Sequence, residues 1–209
     1  MPIIAHFPGD IKSYLALERW RPPLPDVCPC CCIPSQFVGH GSYPRYAAES
    51  GSWQQVRIPR LKCKTCNHTF GVLPDFLVPG RHYSAHLIQS ALALRYQLGA
   101  SRRELSAGFQ GVPALSTCLA WIHAFAAHSE LWLHAVLRAL SRCDAGYDPL
   151  QWLVSPIGRA HGPPRLLLDL LPQLLVALGA ARQEVRVDPA QGLGLLLLWG
   201  QGERLPHLL

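Results

Sequence analysis

The 209-residue sequence predicts an α+β, mostly α protein, in which a small β-hairpin unit built around cysteines precedes a helical domain. Three observations carry this. Two C-x-x-C pairs, Cys28/Cys31 and Cys63/Cys66, flank a strand-like stretch. From about residue 84 the apolar spacing changes to that of helices. Positive charge gathers before residue 143: residues 1–25 carry +1, 26–80 +2, 81–142 +4 and 143–209 −1, within a net charge of +6.

The composition, 49% hydrophobic and 15% charged, is apolar enough to bury a core. A basic part beside a near-neutral tail favours a polyanionic partner, although an ordinary basic protein shows the same sum. The N-terminal extension, residues 1–25, opens with "MPIIAHFPGDIKSY". It has no basic region followed by an apolar run and so does not read as a signal peptide. The most apolar stretch, "RLLLDLLPQLLVALGA", is interrupted by Asp169, Pro172 and Gln173. It falls short of the roughly 20 apolar residues that a spanning helix needs. The expected location is the cytoplasm, with no membrane partner. In a reducing compartment, clustered cysteines serve as metal ligands or reactive thiols more often than as disulfides.

Residues 26–80 carry the cysteine signal. "DVCPCCCIPSQF" holds four cysteines, of which only Cys28 and Cys31 form a C-x-x-C pair; "KCKTCNHTF" supplies Cys63 and Cys66. Two such turns can aim four thiolates at one tetrahedral ion, and zinc is the metal this donor set suits. The 31-residue gap between the pairs exceeds the usual roughly 15–20. It is filled by two strand-like segments, residues 35–47 and 52–62, around the turn-forming "ESGS". A hairpin with a cysteine turn at each end is a zinc ribbon with a structural Zn2+. A redox pair would need a βαβ context that is absent. Cys30 and Cys32 are spare thiols or stand-ins for a neighbouring ligand. His68 could ligate or could be a surface histidine. Cys118 and Cys143 fall in helical sequence and are expected to be buried.

The second expected strand is crowded with Arg57, Arg60, Lys62 and Lys64. Pro59 cannot donate a ladder hydrogen bond and implies an edge strand or a bulge. A basic edge could contact phosphates. Charges on an edge strand also discourage aggregation without any ligand.

Residues 81–142 read as helices. Leu87, Ala91, Leu94 and Leu98 recur three or four apart, with Ser84 as a cap and Gly99 as a stop. Ser101 and Glu104 have capping-box spacing for a short helix reaching about Gly108. Gly111 and Pro113 mark a turn, and a third helix starts near Ala114 with Cys118, Ile122 and Phe125 inward. This order is that of a helix-turn-helix, whose last helix meets base edges through its N-terminal residues. The outward set is then Ser116, Thr117, Ala120 and His123, with Arg102 and Arg103 placed for phosphates. That set is poor in the side chains that usually read bases. Trp121 is expected in the core, and His123, His128 and His134 are not at ligand spacing with a carboxylate.

"CPCC…GHGSYPRY…IPRLKCKTCNHTFGVLPDFLVPGRHYS", followed by "LGASRRELSAGF…LSTCLAWIHAFA", resembles a bacterial family of uncharacterised proteins with a zinc ribbon and a helix-turn-helix region. The same arrangement appears at the N-terminus of several insertion-sequence transposases. The resemblance covers roughly residues 1–140. It implies that Cys28, Cys31, Cys63 and Cys66 hold the metal, that the third helix faces DNA, and that the opening "FPGDIKSYLALERWRPP" forms a short helix leading into the ribbon. Two positions depart from it. Cys32 stands where the family tends to have Gly, and Ala120 where a basic residue often precedes the Trp.

Residues 143–209 form a Leu-rich tail of uncertain fold. "PPRLLLDLLPQLLVALGA" reads as one helix kinked or broken near Pro172, and "GLGLLLLWG" as a strand or a buried helical turn. Asp144, Asp148, Asp169 and Asp188 read as turn and cap residues rather than as a pair of metal-binding carboxylates. No nucleophile elbow, P-loop or dinucleotide motif is present, so no enzymatic activity is expected. The expected function is double-stranded DNA binding, transposase-associated or regulatory, possible partners being a transposase or a second copy. The alternative is a protein-interaction module built on the ribbon and the Leu-rich tail.

Overall fold

One sheet of four strands and six helices make a mixed α/β chain in the computed structural model, which describes residues 2–49, 51–109, 111–143, 148, 156–182, 192–203, 205 and 208–209. The chain divides into two units, Met1–Ala85 and His86–Leu209. Asp144 and Asp188 lie outside the described residues. Among those residues, no helix is long and apolar enough to cross a membrane.

The first unit holds the sheet. Its strands are β1 (Ile3–Ala5), β2 (Phe37–Glu49), β3 (Ser52–Cys63) and β4 (Thr69–Pro74), in the order β1-β4-β3-β2. β2 and β3 form the expected antiparallel hairpin, from Phe37 opposite Cys63 to Glu49 opposite Ser52. Gly51, at φ +80°, takes the left-handed conformation of the turn. β4 runs antiparallel to β3, and β1 runs parallel to β4. These two strands are additional to the expected hairpin. At three and six residues they are too short for an alternating pattern to stand out.

The added strands correct the expectation of a basic edge. β3 has neighbours on both sides where Arg60–Lys62 pair with β4. Pro59 marks a bulge instead: the register jumps from Gly39↔Leu61 to Ser42↔Pro59, one extra residue on β2. Gly41, at φ +75°, sits inside that bulge.

The N-terminal residues belong to this unit's core. Phe7 packs edge-on against Tyr14, Trp20 and Phe76, with ring centroids 5.2–5.8 Å apart. Tyr14 comes from the short helix α1 (Ile11–Leu15), which Asp10 caps through the N–H and hydroxyl of Ser13. The Tyr14 hydroxyl donates to the Arg57 carbonyl at 2.6 Å, and burial pushes its pKa up to about 12. Buried Asp75, just past β4, ties down the chain after β1. It accepts from the Phe7 N–H at 3.2 Å, lies 2.6 Å from His6 Nδ1, and sends its own N–H to the Ala5 carbonyl.

The second unit is helical: α2 (Ala85–Tyr96, its first residue closing the first unit), α3 (Arg102–Gly108), α4 (Leu115–Cys143), α5 (Pro156–Arg182) and α6 (Gly192–Gly202). The buried stripe of α2 is Leu87, Ile88, Ala91 and Leu92, rotated from the expected one. Leu98 lies past the helix end and is 76% exposed. The α3 capping box forms as expected, with the Glu104 N–H on Ser101 Oγ and the Ser101 N–H on Glu104 Oε2. Along α4, Cys118, Trp121, Ile122, Phe125, Trp132 and Val136 are buried at helical spacing. Cys143, the last residue of α4, is exposed, contrary to expectation, because the helix ends there.

Helix α5 bends at Gly162 (φ 67°, ψ 169°) rather than at Pro172. Pro163 and Pro164 follow the bend, in the first turn of the resumed helix, where no N–H partner is needed. "GLGLLLLWG" forms helix α6. Its Trp199 meets Trp132 with ring centroids 6.4 Å apart, and Gly200 leaves no room for a Cβ beside that Trp132 ring. Asp169 accepts from Gln97 Nε2 at 2.8 Å and lies 3.5 Å from Arg165, a structural rather than a metal-binding environment.

Replacing Asp75 by Ala would leave the Phe7 N–H and the His6 ring without their acceptor. We expect a loss of about 3 kcal/mol in thermal or urea unfolding of the full chain, with Asp75→Asn losing less.

Candidate metal centre and basic surfaces

The two cysteine turns are built alike. Cys28 N–H donates to the Ile33 carbonyl at 3.0 Å, and Cys63 N–H to the His68 carbonyl at 2.9 Å. In each loop the residue after the second cysteine has a positive φ, 55° at Cys32 and 60° at Asn67. Asn tolerates this conformation; a Cys there costs on the order of 1 kcal/mol, which explains why Gly suits the position. The Cys30 N–H points at Cys28 Sγ, 3.4 Å away.

The repeated geometry brings four sulfurs together. The Sγ atoms of Cys28, Cys31, Cys63 and Cys66 all lie within 4.8 Å of one another, and Cys28 and Cys66 are 3.7 Å apart. Four thiolates around one ion at 2.3 Å would be spaced by about 3.8 Å, so the arrangement fits a tetrahedral, thiophilic metal ion. Cys28 and Cys63 are fully buried and the other two half-buried. Cys30 and Cys32 are exposed and stand outside the group. His68 is exposed too, its ring 4.8 Å from that of Phe70.

The surroundings treat the sulfurs differently. Burial opposes charge on Cys63, but the Ser35 hydroxyl at 2.9 Å and the N–H groups of Cys66 and Thr65 outweigh it and bring its pKa down to about 6. At Cys66 the His68 N–H favours the thiolate, yet burial and the crowding of Cys63, Cys28 and Cys31 push the pKa up to about 12. The Ile33 N–H likewise favours the Cys31 thiolate, and burial and the neighbouring Cys28 overcome it, so Cys31 is raised. A cation among the four would remove that mutual repulsion. Ser35, whose hydroxyl also meets Thr65 Oγ1 at 2.9 Å, is a positioning residue absent from the sequence reading. A hydroxyl residue shortly after the first cysteine pair, Ser35, and another inside the second, Thr65, are the signal that could have pointed to it.

The basic residues expected to meet nucleic acid fall into two groups, one in each unit. Arg57 and Lys64 are exposed and Arg60 and Lys62 half-buried, between the buried Val56, Ile58, Leu61 and Cys63 of β3. In the helical unit, Arg102 and Arg103 are exposed at the start of α3. Ser116, Ala120 and His123 are exposed on the first turns of α4, while Thr117 is half-buried. Tyr96 of α2 fixes this helix by donating to the Ile122 carbonyl at 3.0 Å. Trp121 is in the core.

A short sheet whose four convergent thiols could hold a metal ion therefore characterises the first unit. Residues 28–105 match a domain of unknown function, DUF6431. The match opens on the first cysteine of the group and ends within α3. No curated protein and no solved structure matches the chain.

Metal uptake must displace the protons of the raised thiols. We expect proton release on loading at pH 7, visible in calorimetric titrations run in buffers of different ionisation enthalpy. Affinity should rise with pH above neutrality and fall toward pH 6, as protons compete for the sulfurs.

Proposed function

We propose that the protein is a zinc-stabilised DNA-binding protein, transposase-associated or regulatory in role. Cys28, Cys31, Cys63 and Cys66 would hold one structural zinc in a closed thiolate shell that leaves no position for a reactive water. The β2–β3 hairpin would then be a zinc ribbon, and α2, α3 and α4 a helix-turn-helix. Zinc would neutralise the crowded thiolates, and the chain would supply the two loop closures and the Ser35 hydroxyl.

The observation that carries the DNA reading is the exposure of Arg102 and Arg103 at the start of α3, with Ser116, Ala120 and His123 on the opening turns of α4. In a helix-turn-helix those are the phosphate-contacting and groove-facing positions. Ser and Ala offer bases little to bond with, so contacts to phosphate should dominate and sequence preference should be weak. The rival reading makes the Leu-rich tail an assembly surface. Leu166, Leu167, Leu170, Leu171, Leu193 and Leu196 are buried within the helical unit, which favours the DNA reading.

Two measurements test this. Full-length protein should bind random duplex DNA with an affinity that falls steeply with salt, and Arg103→Ala should lower the salt slope by about 1; no binding at low salt would sink the reading. Cys63→Ser should abolish stoichiometric zinc, measured by metal analysis, and unfold the first unit; a metal-free wild-type protein of unchanged stability refutes the zinc assignment.

A further inference from the structure

Side chains alternate along a strand, and residues paired across two strands share a face. On the β2–β3 hairpin the pairs Ser42↔Pro59, Pro44↔Arg57, Tyr46↔Gln55 and Ala48↔Trp53 therefore stand on one face. Two contacts agree with that register. Gln55 Nε2 donates to the Tyr46 hydroxyl at 3.2 Å. The Trp53 ring meets that of Tyr83, whose backbone pairs with Ala48, at 5.5 Å. The alternate residues point the other way: Tyr43 leans on Gly71, and Arg45 on the carbonyls of Val78 and Arg81.

The shared face is open to solvent. Ser42, Pro44, Tyr46, Trp53, Gln55 and Arg57 are all exposed, Tyr46 to 55% and Trp53 to 51%. Trp53 and Arg57 are the two diagonal neighbours of Tyr46, each roughly 7–8 Å away. The face runs into a groove of about 620 Å³ at the Gly41 bulge. Arg57, Ser42 and Gln55 line one side of it, Arg19 and Trp20 the other. Trp20 is held edge-on by Phe7 and Tyr14, at 5.8 and 5.6 Å. Arg19 lies over Gly39, its Nη2 3.7 Å from where a Cβ would stand, and Gly39 belongs to the same face through its pairing with Leu61. Two guanidinium groups from separate segments thus flank one groove, against the single carboxylate of its lining, Glu18.

Exposed rings on a sheet beside arginines suit a single strand. Every base has a flat side to stack, and guanidinium groups take the phosphates. A duplex would keep those flat sides hidden in its own stack. We propose that this face binds a single-stranded nucleic-acid segment, with bases against Tyr46 and Trp53 and phosphates on Arg57 and Arg19. The inference takes nucleic acid as the partner from the proposed function and adds a second surface, separate from α3 and α4.

The test uses full-length, zinc-loaded protein and a fluorescent ten-nucleotide oligothymidine, with a random duplex in parallel. Tyr46→Ala should weaken strand binding about tenfold, leaving the melting temperature and duplex binding unchanged. Arg57→Gln should lower the slope of strand affinity against salt by about 0.7. A 5-iodouracil strand should cross-link to Tyr46 or Trp53. Wild-type strand affinity in Tyr46→Ala, cross-links confined to other residues, or absence of strand binding overturns the proposal. So does self-association in sedimentation that Tyr46→Ala abolishes, which would make the face a contact between copies of the chain. Strand binding without duplex binding would instead sink the helix-turn-helix reading and leave the hairpin face standing.

Discussion

Four sulfurs within 4.8 Å of one another are the constraint on which the first unit depends. Thiolates so close repel, and burial adds to the cost of charging them. A bound cation would make four of them jointly favourable, and its binding energy would then become folding energy. The cysteines are also part of a hydrophobic cluster. Cys28 and Cys63 pack with Ile3, Ala5, Phe37, Leu61, Phe70 and Val72, drawn from all four strands. Anything that spreads the sulfurs apart therefore loosens the sheet, and a misplaced β1 or β4 would in turn spread the sulfurs.

A second cluster keeps the opposite arrangement from forming, in which the N-terminal residues trail free. Phe7, Ile11, Tyr14, Val56, Ile58, Leu73 and Phe76 fill the space under β3 and β4. Asp75 then fixes the chain after β1 with a backbone and a side-chain partner at once. A buried carboxylate is tolerable only when its lone pairs are met, and here both oxygens are. The result is a rigid platform from which the bulge at Gly41 and the Tyr43–Gly71 contact project. The helical unit relies on different means, a 29-residue helix α4 whose apolar stripe is covered by the leucines of α5 and α6.

Much of the local structure was legible. The Cys28/Cys31 and Cys63/Cys66 spacing singles out the four sulfurs that converge, because a C-x-x-C turn has one geometry. Ser101 and Glu104 announce the start of α3, since the capping box is complete within four residues. The hairpin limits follow from the strand-like segments and the turn at 49–52. The α2 stripe was misplaced because Leu94 and Leu98 share the helical spacing of its buried residues, and only the C-terminal limit of the helix, at Tyr96, leaves Leu98 in solvent.

By itself, then, the sequence determined the cysteine group, the central hairpin and the sites of the helices, because each rests on residues a few positions apart whose chemistry is local. Only the tertiary structure decided that β3 has a neighbour on each side, that Pro59 faces a bulge rather than an edge, and that His6 meets Asp75 across 69 residues. It alone placed Ser35 on Cys63, and Arg45 on the carbonyls of Val78 and Arg81. Such partners are joined by strand pairing and burial. These act between segments with no fixed separation along the chain and so leave no periodic mark in it.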